Sequence, residues 1–441
     1  MATSGTPGMS LTATATTIVG TASGQLYGSD NPTEPDPGVA MNQPVPADLR
    51  AAVHDRRSLL EQLSLDLHGT PETRFEEHYA VEQLVGRLAA AGFEVNKGVA
   101  GLPTAFTATH QGPVDGPTVA VLLEYDALPG IGHACGHNLI AAGGLTAAVA
   151  AAAVRPGHPG RLMVIGTPGE EGGGGKILML DRGVFEDVDA AVMFHPGDRS
   201  LMARHALAVS HLRLTFHGVA AHAAKMPWDG RSAAAGAQLF LTAVDSLRQF
   251  MPPSARVHGI IAHGGHAPNV VPDRTEVDLF VREATTAALD ALVPRVLAAA
   301  DGAALATGTT VETEETAPRY AERNDNRVMG DRIAAYTADL GLELEPPSRE
   351  NPAGSSDIGN VSIRLPSIHP YVQICPRDTP SHSVRMREAA RSPRAHEAAT
   401  TMATAMAALV LDLLGDPEFL SAVRAEFLAS APCSTAGQEP S

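Results

Sequence analysis

Basic residues are in short supply: 32 lysines and arginines stand against 49 aspartates and glutamates, a net charge of −17 at pH 7. That surplus of acid excludes nucleic acid and anionic membrane surfaces as general partners. It does not exclude an anionic small molecule, because one buried arginine can dominate a pocket locally. Cysteine is scarcer still. Cys135, Cys375 and Cys433 are an odd set, too few for a disulfide framework, and they fit a reducing compartment such as the cytoplasm. Charged residues make up 18% and hydrophobic ones 44%, the balance of a globular chain. Long apolar runs are missing as well. The Ala-rich stretch 139–154 falls short of a membrane span and reads as a buried helix. Residues 1–45 lack both the basic start and the apolar run of a signal peptide. They and the tail 429–441 are expected to be disordered extensions.

The remainder is patterned. A length of 441 residues allows two or three domains. Leu59, Leu60, Leu63, Leu65 and Leu67, then Tyr79, Val81, Leu84, Val85 and Leu88, give a helical texture between Arg50 and Phe93. The runs 118–123, 162–165 and 190–194 are short, rich in Val, Leu, Ile and Met, and bounded by Gly or Pro, as buried parallel strands are. Helix-like stretches at 139–154, just after the potential N-cap Asn138, and at 175–182 alternate with them, which predicts an α/β layer. Near Ala206 the texture changes. Half-exposed strand patterns at 209–216, 257–262, 276–281 and 311–315 interleave with helical ones at 230–250 and 285–306. That β-α-β-β-α-β order is the order of a ferredoxin-like sandwich. After Pro318 the α/β pattern resumes, with a helix at 326–340, a Gly/Ser loop at 354–360, a strand at 372–375 and a helix at 395–414. The expected fold is therefore α/β: one domain in two halves, 46–205 and 316–428, with a mixed, mostly parallel sheet flanked by helices. A ferredoxin-like α+β domain at 206–315 is inserted between them.

Chemistry gathers where those strands end, the usual place for ligands in such a sheet. Ile-Gly-His-Ala-Cys-Gly-His-Asn sets His133, Cys135 and His137 at alternate positions behind the run ending at Leu123. Glu170 and Glu171 follow the run 162–165, and His195 follows 190–194. Glycine-flanked histidines can cap helices and cysteine is often merely buried, but three strand ends that each carry a potential ligand favour a metal site. A cysteine nucleophile is the other sharp reading; the paired glutamates oppose it, because negative charge disfavours a thiolate. Hydrolysis needs one carboxylate to hold metal and another to take a proton from water, and adjacent glutamates can divide those roles.

Several segments carry a family resemblance. Glu124-Tyr-Asp-Ala-Leu-Pro-Gly-Ile-Gly-His-Ala-Cys-Gly-His-Asn resembles the signature of the amidohydrolase branch of the aminoacylase/carboxypeptidase metallopeptidases, and Thr-Pro-Gly-Glu-Glu-Gly-Gly-Gly-Gly-Lys and Met-Phe-His-Pro extend it. Gly-Val-Ala-Ala-His-Ala-Ala-Lys-Met-Pro-Trp-Asp-Gly-Arg, Ala-Pro-Asn-Val-Val-Pro-Asp and Gly-Ser-Ser-Asp-Ile-Gly-Asn-Val-Ser continue it, over about Leu59 to Leu414. Asn138, where many members have aspartate, points to the subset near p-aminobenzoyl-glutamate and β-alanyl-dipeptide hydrolases. The resemblance implies two divalent ions per subunit, zinc or manganese ahead of cobalt or nickel, held by Cys135, His137, Glu171, His195 and His382. Cys135 would bridge them and Glu170 would be the general base. His369 competes with His382 for the distal place, and Asp126 is a supporting candidate. The 206–315 domain would be a lid that also makes a homodimer, with His222 reaching the partner's active site. Asn269, Arg282 and the loop at Gly354 would hold the substrate; His263 and His266 are further candidates to line it.

The expected activity is metal-dependent hydrolysis of the amide bond in N-acyl or N-aminoacyl amino acids. A dipeptidase for β-alanyl or related dipeptides is the alternative within that class. A noncatalytic metal-binding homologue is the alternative outside it.

Overall fold

The computed structural model describes residues 44–347 and 354–430. The expected extensions, apart from residues 44–45 and 429–430, lie outside these, as does Cys433. Helices α1 (Ala47–His54), α2 (Arg57–Gly69) and α3 (His78–Ala90) come first. In α2 the spacing of Leu60, Leu63 and Leu67 buries one stripe, whereas Leu59 and Leu65 of the same leucine-rich run face water.

Strands β1 (Glu94–Lys97), β2 (Phe106–Gln111) and β3 (Val114–Leu123) follow, then helix α4 (His137–Val154) and strand β4 (Pro159–Gly166). A short turn of helix, α5 (Glu170–Gly173), leads into α6 (Gly175–Asp181), β5 (Ala190–Val192) and β6 (His195–Gly197). Two further strands of this layer arrive much later in the chain.

β7 (Ala208–His217), α7 (Ala233–Leu247), β8 (Arg256–His263), β9 (Arg274–Glu283), α8 (Thr286–Thr307) and β10 (Thr310–Glu315) make the second, antiparallel sheet in the order β10-β7-β9-β8. This is the ferredoxin-like arrangement. Alternation does the positioning here. Val277, Leu279 and Val281 of β9 turn to a core with Leu212, Leu214 and Phe216 of β7 and Phe240 of α7. Asp278, Phe280 and Arg282 consequently face the other way. Ser232 and Thr285 cap α7 and α8 by accepting the amides of Ala235 and Ala288.

Helices α9 (Arg327–Asp339) and α10 (Ile358–Ser362), strands β11 (Ser367–Ile368) and β12 (Tyr371–Gln373), and helices α11 (Val384–Ala389), α12 (Pro393–Gly415) and α13 (Pro417–Ser430) complete the chain. The first sheet runs β1-β2-β4-β3-β5-β11; its β4–β3, β3–β5 and β5–β11 pairs are parallel and the two at the β1 edge antiparallel. β6 pairs in parallel with β12 just beyond. α4 and α12 are long and apolar enough to cross a membrane by composition, yet in the fold they are largely buried core helices.

The start of α4 departs from expectation. The helix begins at His137 behind Gly136, whose φ is 83°, so Asn138 lies inside the first turn rather than capping it. Its buried amide donates to Ser64 Oγ at 2.8 Å and to the Ala390 carbonyl at 3.0 Å. A side chain at position 136 would run into Pro196, which explains the glycine. Further along α4, a Cβ on Gly143 would come within 2.7 Å of the Phe194 ring, and one on Gly144 would collide with Leu123. The helix is made of small residues because it lies almost on the sheet.

Candidate metal centre

Three strand ends converge. β3 ends at Leu123 and delivers Glu124 and Asp126; β4 leads to Glu170 and Glu171; β6 opens with His195. The first turn of α4 adds His137, preceded by Cys135, and the segment before α11 adds His382. His382 adopts a left-handed backbone, φ 57°, unusual outside glycine, and its amide donates to the Ala134 carbonyl at 3.2 Å.

The side chains form two triads of potential ligands sharing one sulfur. Cys135, His137 and His195 present donor atoms within 4.8 Å of one another, and so do Cys135, Glu171 and His382. Cys135 Sγ lies 4.0 Å from His195 Nε2 and 3.5 Å from His382 Nε2, and His382 Nε2 lies 3.3 Å from Glu171 Oε1. His369 is not part of either triad; its ring packs 5.5 Å from that of His195, buried and with both nitrogens unpartnered. Asp126 ties the centre together: its Oδ1 is 3.1 Å from His137 Nδ1 and its Oδ2 accepts the Glu171 amide at 2.9 Å. That leaves His137 Nε2 pointing inward. It and Glu171 Oε1 are buried atoms without a hydrogen-bond partner, and a cation would satisfy both. Sulfur, imidazole and carboxylate donors together suit a divalent transition ion.

The electrostatics agree. Burial, reinforced by Glu171, pushes the Cys135 thiol well above its usual range, which argues against a free thiolate nucleophile. Burial holds His195 down at about 4, so it is a neutral, metal-competent imidazole near pH 7. Burial also raises Glu170 well above the carboxylate range, and the negative charges of Glu171 and Glu124 add to it. Glu170 Oε2 lies 4.0 Å from His137 Nε2.

Beneath the centre sits a group that motif reading passed over. Lys176, fully buried, places Nζ 2.6 Å from Glu124 Oε1 and 2.7 Å from Asp357 Oδ1. All three residues stand within the family motifs, and a lysine ending a glycine run ahead of apolar Ile177 and Leu178 was the available signal.

Two cavities meet over Glu170, Glu171 and His382. The larger, about 640 Å³, is walled by the outward face of the second sheet, including His211, His258, Ile260 and Phe280. The smaller, about 260 Å³, also touches Cys135, His195, Arg204 and Gly354. Arg282 and Ser355 line both, and Arg282 Nη1 donates to Ser355 Oγ at 2.7 Å. The structure thus brings Arg282 and Gly354 to the centre. It leaves His222 and Asn269 lining neither of these cavities; they adjoin each other, the Ala223 amide donating to the Asn269 carbonyl at 3.0 Å. His263 and His266 pair with each other, ring centroids 4.9 Å apart, and likewise line neither cavity.

Known proteins share this architecture. The profile of peptidase family M20/M25/M40 matches residues 113–408. The chain is 39% identical to the Xaa-Arg dipeptidase of Mus musculus over 386 residues, covering 83% of this chain and 88% of that protein. It is 33% identical to a p-aminobenzoyl-glutamate hydrolase polypeptide of Escherichia coli over 436 residues, 81% and 89% of the two. Among solved structures, a dinuclear metal-binding peptidase of Bacillus subtilis superposes with a TM-score of 0.61 at 21% identity, covering 82% of this chain and 99% of that one.

Proposed function

The chain belongs to peptidase family M20/M25/M40, and from that premise we propose that it hydrolyses the amide bond of N-acyl or N-aminoacyl amino acids at a two-ion centre. The observation that carries the reading is the sharing of Cys135 between two ligand triads. His137 and His195 would hold one ion and Glu171 and His382 the other, with Cys135 a potential ligand common to both groups. Zinc or manganese suits the mixed donors, with cobalt and nickel also compatible. When bound, the ions supply Lewis acidity, lowering the pKa of water and polarising the scissile carbonyl.

The chain's own residues do the rest. Glu170, with its pKa raised by burial, takes a proton from the attacking water at its carboxylate and returns it to the leaving amine nitrogen. Asp126 fixes the tautomer and direction of His137 and anchors the Glu171 backbone. The Arg282 guanidinium, steadied by Ser355 beside Gly354, grips the substrate α-carboxylate and orients the amide over the centre.

His222 and Asn269 act from a partner subunit, His222 on the oxyanion and Asn269 on the scissile carbonyl, so the enzyme is a homodimer through the 206–315 lid. Two features support this. His222 is exposed and away from its own chain's cavities. Val219, Met226, Trp228, Ile260 and Ile261 expose apolar surface on the same domain, whose edge strand β8 is open for pairing. A cytoplasmic setting suits a thiolate ligand.

Both named relatives cleave within this class, and the larger cavity takes either an aromatic acyl or a β-aminoacyl group. The test is metal analysis with turnover on a panel of N-acyl amino acids and β-alanyl dipeptides. Two ions per subunit and loss of all turnover on chelation are expected. Full activity in a metal-free sample refutes the centre.

A further inference from the structure

Glu170 and Glu171 stand on a turn that has little to hold it in shape by itself. Gly169, Gly172 and Gly174 all adopt left-handed backbones, at φ 67°, 76° and 66°, and Glu171 leaves the helical region with ψ 75°. A glycine-rich segment of that kind loses much chain entropy on ordering, so its shape has to be imposed from outside. The Asp126 carboxylate accepts the Glu171 amide, and Glu77 Oε1 accepts the Gly169 amide at 2.9 Å. Neither bonds to Glu170 itself.

Tyr320 does. Its hydroxyl donates to the Glu170 carbonyl at 2.9 Å and accepts the Gly174 amide at 3.0 Å, clasping the turn across its glycines. The residue is 3% exposed, and burial pushes its phenol well above the usual range, so the proton that makes the first bond stays in place. That one proton is committed to Glu170. The hydroxyl therefore has none to donate to a substrate in the larger cavity, although Tyr320 forms part of the wall.

The main chain of Tyr320 is fixed too. The Val209 amide donates to the Tyr320 carbonyl at 2.9 Å, and the Tyr320 amide donates to the Val209 carbonyl at 3.1 Å. This exchange joins the two places where the chain crosses between the sheets, near the start of β7 and shortly after β10. Ile177 of α6 and Val209 pack against Tyr320. A general base has to hold its carboxylate within hydrogen-bond reach of the attacking water, and a displacement of about 1 Å costs on the order of a hundredfold in rate.

We propose that Tyr320 is a positioning residue for the general base: it ties the Glu170 backbone to the junction between the two sheets and so aims the carboxylate without touching substrate. This rests on the reading of Glu170 as the base.

The experiment removes only the hydroxyl, as Tyr320→Phe, and measures kcat and KM on the best substrate of the panel above, in wild-type and Glu170→Gln backgrounds. Amide hydrogen exchange over residues 169–175 of the metal-loaded proteins is followed by mass spectrometry. Tyr320→Phe should keep two ions and leave KM within about twofold, while kcat falls about ten- to hundredfold. In the Glu170→Gln background the same change should cost less than about twofold, because the group it aims is already gone. Exchange should quicken in 169–175 and not in α4 or α12. A penalty as large in Glu170→Gln as in wild type overturns the inference, since Tyr320 then acts through another group. So does a rise in KM at unchanged kcat, which marks a substrate contact, and so does unchanged exchange in the turn. Should the variant not hold both ions, exchange in the metal-free proteins decides: quickening confined to 169–175 supports the clasp, and quickening throughout the fold overturns it. If wild type with two ions cleaves nothing in the panel, the hydrolase reading fails, and the exchange result still upholds or overturns the hold on the turn.

Discussion

Replacing Lys176 by methionine removes the ammonium that sits between two carboxylates in a sealed group of charges. Its Nζ lies 2.6 Å from Glu124 and 2.7 Å from Asp357, and all three side chains are at most 1% exposed. The two carboxylates hold the ammonium's pKa above its usual value despite burial, and Lys176 with His137 holds Glu124 below the usual carboxylate range against the same burial. An intact buried ion group contributes little net stability relative to an apolar replacement of the whole. Removing one member is different, because two carboxylates then remain in low dielectric without a partner. The expected loss is about 3 to 5 kcal/mol. Urea unfolding of the metal-free protein measures it, read as a fall in midpoint with unchanged slope. Adding Glu124→Gln and Asp357→Asn to Lys176→Met removes the orphaned charges, and most of the loss should return. A single variant within about 1 kcal/mol of wild type, or a triple variant no more stable than the single, would refute the account.

Glu170→Gln should keep both ions by metal analysis while turnover falls on the order of a hundredfold or more; wild-type turnover would assign the proton to another group. Mixing inactive Glu170→Gln subunits with inactive His222→Ala subunits should restore part of the activity, and none should return if His222 works within its own chain. Glu77 gives a pH prediction. Burial raises its pKa to about 7, the charge of Asp126 adding to the effect. The folded state therefore keeps a proton that the unfolded chain releases near 4.5, so this stabilisation is present below that pH and lost as pH climbs through 7. Wild type minus Glu77→Gln stability, from denaturation of metal-free protein, should drop by about 3 kcal/mol between pH 4 and pH 8; a flat difference would show that folding leaves the Glu77 pKa unchanged.

The sequence showed most of what is local. Cys135, His137, Glu170, Glu171 and His195 each sit a short way beyond an apolar strand, so period and position together announced them. The ferredoxin-like strand order was legible because its strands alternate between polar and apolar residues. What escaped depends on distance along the chain. Lys176 meets Glu124 and Asp357 across 52 and 181 positions, and no short window contains that pairing. The two-residue strand β11 is too short for any period to register. Asn138 was misread because its type suits a cap, whereas the fold needed a buried amide joining α4 to Ser64 and Ala390. His382 prevailed over His369 as the neighbour of Cys135 through a left-handed turn that composition does not encode.

The closeness of α4 to its sheet also determines how this region tolerates change. An ordinary core fails when side chains shrink, since cavities open. Here alanine after alanine has a single methyl to lose, and trimming one costs about 1 kcal/mol, mostly in helix propensity. Growth is the intolerable direction: at Gly143 the first added carbon already meets Phe194, and at Gly144 it meets Leu123. A saturation library over the alanine and glycine positions of 141–152 should therefore be lopsided, permissive to reduction at the alanines and closed to enlargement. Any displacement forced at mid-helix would be carried rigidly to His137, so variants there would lose metal before they lose their fold.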